Sequence, residues 1–171
     1  YEKLVLDGFQ AGLSWYTILR KRENFRAAFA GFDPDEIATW GEPEVTRLLA
    51  DAGIVRHRGK IEAAITNAQA WQQVEATYPG GFSAFIWSAV DGVPLQNSWT
   101  GLGQIPATTP AGDALAKRLK KAGFRFCGPT IVYAFAQAVG LVNDHVVDCP
   151  AFERCAALSV VEPVEPPDAT S

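Results

Sequence analysis

Leu48-Leu49-Ala50-Asp51-Ala52-Gly53-Ile54-Val55-Arg56-His57-Arg58-Gly59-Lys60 closes one stretch of helical periodicity and opens another across a glycine. Upstream, Gly41-Glu42-Pro43 starts a helix that runs to about Ala52, and Gly53 follows as a left-handed stop. Downstream, Ile61, Ile65, Ala68 and Trp71 recur at three- and four-residue spacing, which predicts a long helix from about Arg58 to Glu75. The pair has the form of a helix-hairpin-helix. Glycine permits a sharp turn, Ile54 pins it to the core, and backbone N–H groups at the start of the second helix can point at a phosphate. Arg56, Arg58 and Lys60 add positive charge around Gly53 and Gly59. Such a hairpin holds a DNA backbone without reading its sequence. The alternative is an ordinary helical hairpin with solvated basic residues; the coincidence of turn, anchor and charge favours DNA.

The same punctuation recurs along the chain and makes the fold class all-α, a single compact helical body. Asp33-Pro34-Asp35-Glu36 supplies an N-cap, a proline at the first helical position and a reciprocating glutamate for a short helix through Thr39. Gly80-Gly81 precedes an apolar helix from Phe82 to Val90, and residues 91–109, rich in Gly, Pro, Asn and Thr, read as a long surface loop. Thr109-Pro110 caps a basic amphipathic helix that Gly123 ends, and Gly128-Pro129-Thr130 opens an apolar one to Val139. The helical domain is placed at residues 1–155, and 156–171, acidic and proline-rich, is expected to be a disordered tail.

The chain of 171 residues is 48% hydrophobic and carries a net charge of −4 from 15 basic and 19 acidic residues. That length buries roughly two thirds of the unfolded surface. Glu153, Glu162, Glu165 and Asp168 lie after residue 150 with Arg154 as the only base, so residues 1–150 are nearly neutral. The basic residues cluster: residues 61–115 hold no Lys or Arg, whereas Arg20-Lys21-Arg22, residues 56–60 and Lys117-Arg118-Leu119-Lys120-Lys121 are dense. The charge pattern alone favours solvated helix faces, although separate patches on one face can follow a polyanion. Three cysteines, Cys127, Cys149 and Cys155, form an odd set unlike a secreted disulfide framework, and no apolar run approaches the ~20 residues needed to span a bilayer. A reducing, cytoplasmic setting is expected. The chain lacks methionine and opens inside an amphipathic segment, so the natural protein is expected to begin further upstream.

Leu6-Asp7-Gly8-Phe9-Gln10-Ala11-Gly12-Leu13-Ser14-Trp15-Tyr16 packs two glycines, a carboxylate and adjacent aromatics into eleven residues. Together with Leu19-Arg20-Lys21-Arg22-Glu23, residues 52–61, Phe85-Ile86-Trp87 and Gly140-Leu141-Val142-Asn143-Asp144-His145, it resembles the 3-methyladenine DNA glycosylase I family of the helix-hairpin-helix superfamily, over about residues 1–149. The resemblance implies an enzyme of base excision repair that flips N3-methyladenine out of duplex DNA and hydrolyses its glycosidic bond, working as a monomer and without strand cleavage. An N3-alkylated adenine is cationic and already a good leaving group, so an aromatic face and a carboxylate suffice to recognise it. By position in the motif, Asp7 stands where typical members place a base-reading glutamate, Trp15 stacks on the flipped base, Tyr16 is its neighbour, and Gln10, Gly12 and Leu13 enter the gap left in the duplex. Aspartate is shorter than glutamate by about 1.5 Å, which puts selectivity or rate in question. Loss of turnover, leaving a module that binds lesions, is the competing expectation.

His145 and Cys149 stand four residues apart, spacing acceptable for two ligands on one turn of chain. The resemblance implies that they hold half of a structural zinc site completed by an N-terminal segment, with Cys155 as a possible substitute ligand. Asp144 reads as a structural hydrogen-bonding residue rather than a catalytic base.

Overall fold

A computed structural model describes residues 1–158. The chain builds ten α-helices among the described residues: α1 (Glu2–Gln10), α2 (Trp15–Arg20), α3 (Arg22–Ala28), α4 (Pro34–Ile37), α5 (Glu42–Ala50), α6 (Arg58–Thr77), α7 (Gly81–Trp87), α8 (Pro110–Lys121), α9 (Pro129–Ala138) and α10 (Phe152–Leu158). The anticipated caps at Asp33 and Thr109 are present, but the reciprocal bond expected from Glu36 is not formed, the Asp33 N–H donating to the Ala30 carbonyl instead; the glutamate that reaches back is Glu44 of the next helix. Asp33 accepts from the Asp35 N–H, Glu44 reaches back to the Gly41 N–H, and the Thr109 hydroxyl accepts from the Gly112 N–H. Gly123 and Gly140 take left-handed conformations just after α8 and α9, with φ of 97° and 84°.

Two apolar clusters form the core, and α6 runs through both. Val5, Leu6, Phe9, Ile18, Phe25, Phe29, Ile37, Leu48 and Ile61 pack in the first; Phe82, Leu115, Leu119, Phe124, Val132 and Tyr133 pack in the second with Val74 of α6. Stacked and edge-on rings stiffen the first, including Phe29 on Phe32 at 5.6 Å and Phe9 against Phe25 at 4.8 Å. Helix α1 is the other bridge: Leu4 enters the second cluster while Val5, Leu6 and Phe9 enter the first. Each such side chain contributes about 1.5–3 kcal/mol by leaving water, so α1, which carries Asp7, is held from both sides.

Several expectations are corrected. Gly53 is not left-handed. It is a close-approach position, where a Cβ would meet Asp51 Oδ1 at 2.9 Å and the Asn24 side chain at 3.3 Å. The helix before it ends at Ala50, where the Asp51 carboxylate turns the chain by accepting from the Gly53 N–H at 2.7 Å. Residues 91–109 are not wholly irregular. Leu95–Gln96 (β1) pairs in parallel with Val142–Asn143 (β2), and Trp99 bridges to Val146. Two-residue strands 47 positions apart leave no periodic signal in sequence. The boundary at 155 also falls too early, because α10 continues through Leu158; the expected tail from 159 to 171 lies outside the described residues.

Candidate base pocket and DNA-facing surface

Asp7 lies on the inner face of α1, 3% exposed. One carboxylate oxygen accepts from Lys3 Nζ at 2.5 Å; the other, Oδ2, is buried with no hydrogen-bond partner. Burial pushes the carboxyl above the usual aspartate range, and the Lys3 ammonium pulls it back only in part. A buried acceptor left open is costly unless a ligand supplies the donor. Trp15 begins α2 on the far side of the turn, its ring 39% exposed, and Lys3 Nζ stands 4.5 Å from the ring centroid. An indole face and a hungry carboxylate therefore converge on one point. Lys3, which stands there, was missed in the sequence, although a lysine four residues before Asp7 on one helix face is a visible pairing signal.

Between α1 and α2 the chain makes a tight projecting turn. Gly12 has φ of 78°, the Leu13 N–H donates to the Gln10 carbonyl at 2.7 Å, and the Gln10 side-chain amide donates back to the Leu13 carbonyl at 2.7 Å. Leu13 is held outward with Tyr16 and Leu19, giving an exposed apolar patch beside Trp15. Tyr16 is 66% exposed, with Arg20 against its ring, and does not approach Asp7 through any contact in the structure.

The hairpin at 50–58 is less free for phosphate than its sequence suggests. Arg58 is engaged by Glu42 at 2.8 Å and Glu62 at 3.3 Å. Lys60 is corrected from surface cation to internal strut: it is 7% exposed and donates to the carbonyls of Phe9 and Ala11 at 2.9 and 2.6 Å. Its ammonium thus fixes the base of the projecting turn. The His57 ring takes the N-cap role, accepting from the Lys60 N–H at 3.2 Å, so one donor expected for phosphate is already used. Gly59 is the close-approach residue beneath His57 and Phe126. Arg56 stays exposed and makes no ion pair among the described residues.

A second helical hairpin, α8–turn–α9, presents what the first lacks. Its turn lines a groove of about 800 Å³ with Lys117, Lys120 and Arg125, all exposed and without an ion-pair partner among the described residues. From α6 the Asn67 side chain clamps Arg125, accepting from its N–H at 2.7 Å and donating to its carbonyl at 3.1 Å. Phe126 follows with φ of 54°, a strained value for a side chain of this size. Its backbone lies against Gly8, where a Cβ would sit 3.4 Å from Phe126, and its ring meets His57 edge-on at 6.1 Å. The sequence carries a signal for this hairpin, Gly123 and Gly128 around a basic helix end, but the same residues also fit plain helix punctuation.

Asp144 gathers four donors: Asn97 and Trp99 on Oδ1, both at 2.7 Å, and Tyr133 at 2.5 Å and Gln137 at 2.7 Å on Oδ2. Desolvation works against its charge, but these bonds outweigh it and hold the carboxyl below the usual range. It ties the 95–99 segment to α9 and does not face Trp15 or Asp7. Nearby, His145 Nδ1 and Cys149 Sγ are 3.5 Å apart. Zn–N of about 2.0 Å and Zn–S of about 2.3 Å at a tetrahedral angle would set these atoms about 3.5 Å apart, so the pair fits one edge of a zinc tetrahedron. No cluster of three or more metal-binding side chains occurs among the described residues.

Comparison with known proteins agrees with this geometry. Residues 1–153 match the family described as Methyladenine glycosylase. The chain is 54% identical over 149 residues to DNA-3-methyladenine glycosylase 1 of Escherichia coli (strain K12), covering 87% of this chain and 79% of that one. It superposes on the crystal structure of a 3-methyladenine DNA glycosylase I with a TM-score of 0.83 at 55% identity, covering 86% and 81% of the two chains. A structure of the Staphylococcus aureus enzyme described as the basis of 3-methyladenine recognition matches with a TM-score of 0.84 at 38% identity, covering 88% and 80%. With the family matched over nearly all of the described residues, the chain belongs to the methyladenine glycosylase family.

Proposed function

We propose that this protein excises 3-methyladenine from alkylated duplex DNA by hydrolysis, with Trp15 and Asp7 as the base-reading pair. The single observation that carries the assignment is the exposed indole facing a buried carboxylate with one oxygen unpartnered. A cationic, flat heterocycle satisfies both partners at once. Its π system lies on Trp15, and its exocyclic N–H donates to Asp7 while its positive charge balances the carboxylate. Water attacks C1′, the C1′–N9 bond breaks, its electron pair neutralises the departing purine, and the proton shed by the water passes to solvent. No general acid is needed for that leaving group. Lys3 Nζ is tied to the Asp7 carboxylate rather than aimed free at a sugar carbon, which supports hydrolysis without strand cleavage.

DNA is gripped on either side of the pocket. Leu13, Gly12 and Gln10 enter the space of the flipped nucleotide, and the α8–α9 turn holds the backbone through Lys117, Lys120, Arg125 and the free N–H groups opening α9. Arg56 adds a contact from the first hairpin. His145 and Cys149 would supply two ligands of a structural zinc, which would fasten the segment after β2. The three cysteines form no disulfide, which suits a monomer working in a reducing cytoplasm. Release of 3-methyladenine from methylated duplex, compared between this protein and Trp15→Ala, tests the assignment; equal release by both refutes it.

A further inference from the structure

The point shared by the Trp15 face and the Asp7 carboxylate is filled by a cation of the protein's own. Lys3 Nζ is 2.5 Å from Asp7 Oδ1 and 4.5 Å from the Trp15 ring centroid. Those are the two contacts that a flipped cationic base requires. The lysine side chain is 32% exposed whereas that of Asp7 is 4% exposed. The carboxylate is therefore fixed, and the ammonium has a route to water. Two positive groups cannot occupy so small and partly desolvated a space without strong mutual repulsion.

We propose that Lys3 occupies the base subsite as a surrogate cation and sets the affinity of that subsite, so that capture of an N3-alkylated adenine is an exchange of one cation for another on the Asp7–Trp15 pair. This rests on the reading of Trp15 and Asp7 as the base-binding pair. A cationic base replaces the charge that it displaces. A neutral adenine does not: its entry leaves Asp7 buried without a counter-charge, and it is turned away at the recognition step, before bond cleavage can discriminate. The i,i+4 spacing makes the device local to one helical turn, and the displaced lysine needs only side-chain rotation. Burial acting on Asp7 without Lys3 opposing it would also move the carboxyl further up, giving the exchange a signature in pH.

The test measures dissociation constants for 3,9-dimethyladeninium, a permanent cation whose N9-methyl stands for the sugar, and for neutral 9-methyladenine. The proteins are wild type, Lys3→Met, Lys3→Gln, Lys3→Arg and Trp15→Ala, each as the full chain with its fold checked by circular dichroism. Removing the competing charge should tighten the cation by about fivefold to tenfold at alkaline pH in the Met and Gln variants. That gain should disappear on acidification as Asp7 takes up a proton, while Lys3→Arg should bind no tighter than wild type. Unchanged or weaker cation binding by both folded Met and Gln variants overturns the exchange. If Trp15→Ala abolishes binding while the Lys3 variants show no gain, only the exchange fails; if Trp15→Ala binds normally, the base-pocket assignment fails with it.

Discussion

Replacing Asp144 by asparagine separates a structural carboxylate from a catalytic one. The native side chain takes two donors on each oxygen. The Trp99 indole can only donate, so the asparagine carbonyl must stay on the side of Trp99 and Asn97, leaving its NH₂ toward Tyr133 and Gln137. Tyr133 can rotate its hydroxyl to accept, and Gln137 can turn its amide. The two retained bonds fall from charge-assisted to neutral, a loss of roughly 1 kcal/mol each, and rearrangement at the other oxygen costs about 1 more. The expected destabilisation is about 3 kcal/mol by urea unfolding at neutral pH. Asp144→Ala, which strands all four donors, should lose about 5 kcal/mol.

The sign of the pH dependence follows from a folded carboxyl held below its unfolded value. Its stabilisation is complete above the unfolded pKa of about 3.9 and is lost as pH falls through the lower folded pKa. The gap between wild type and Asp144→Asn should therefore narrow in strong acid. At a temperature where both proteins are folded, single-turnover excision should differ by no more than a few fold. A stability loss under about 1 kcal/mol, a gap that widens in acid, or an excision rate reduced by orders of magnitude in a folded variant would each refute the structural reading.

Asp7→Asn should cut excision by about tenfold to a hundredfold with little loss of stability, measured by single-turnover release and thermal melting. In wild type, excision should fall on the acid side as Asp7 takes up a proton, at a pH above the ordinary aspartate range because burial raises this carboxyl; a pH–rate profile locates the step. Lys117→Glu with Arg125→Glu should weaken binding to duplex DNA of any sequence and reduce the salt slope by about 2, whereas Lys60→Met, which frees the Phe9 and Ala11 carbonyls, should lower excision more than it lowers the salt slope. Cys149→Ser should reduce bound zinc, read by elemental analysis of the purified protein, and lower the melting temperature without changing the base affinity of folded protein.

Helix existence was legible wherever a cap and an apolar stripe coincided, as at Asp33-Pro34 and Thr109-Pro110, because both signals are local. The strand pair at Leu95–Gln96 was not, since its hydrogen bonds go to residues near 142 and its two residues are too few to alternate. For the pocket, the aspartate and tryptophan were identified through the family motif, and their convergence required the fold. Charge was the least legible property. The sequence counts Arg58 and Lys60 as equal to Lys117 and Arg125, but Glu42 and Glu62 engage the first and two main-chain carbonyls bury the second. What a basic residue can offer a phosphate depends on what already holds it.

On the proposed reading, that distribution of engaged and free cations would link the grip on the backbone to recognition of the base. The free cations line the α8–α9 turn, and the same turn carries Phe126, whose strained backbone is set by the Asn67 clamp on Arg125 and packed on Gly8, next to Asp7. The engaged cation Lys60 fixes Phe9 and Ala11, the residues from which the projecting turn departs. Arg125 is thus connected to Asp7 through two neighbours, Phe126 beside it in the chain and Gly8 packed on Phe126, and on the proposed reading a phosphate at the first would be felt at the second. Gly8 leaves room for a methyl group and little more: a Cβ there would lie in ordinary contact, 3.4 Å from both Cβ and the carbonyl oxygen of Phe126, so alanine fits whereas a branched side chain crowds the two elements. Gly8→Val should therefore reduce excision and DNA affinity together while leaving α1 helical, as measured on one preparation by release assay, duplex titration and circular dichroism. Loss of excision with DNA affinity intact would show that the pocket and the phosphate turn act independently.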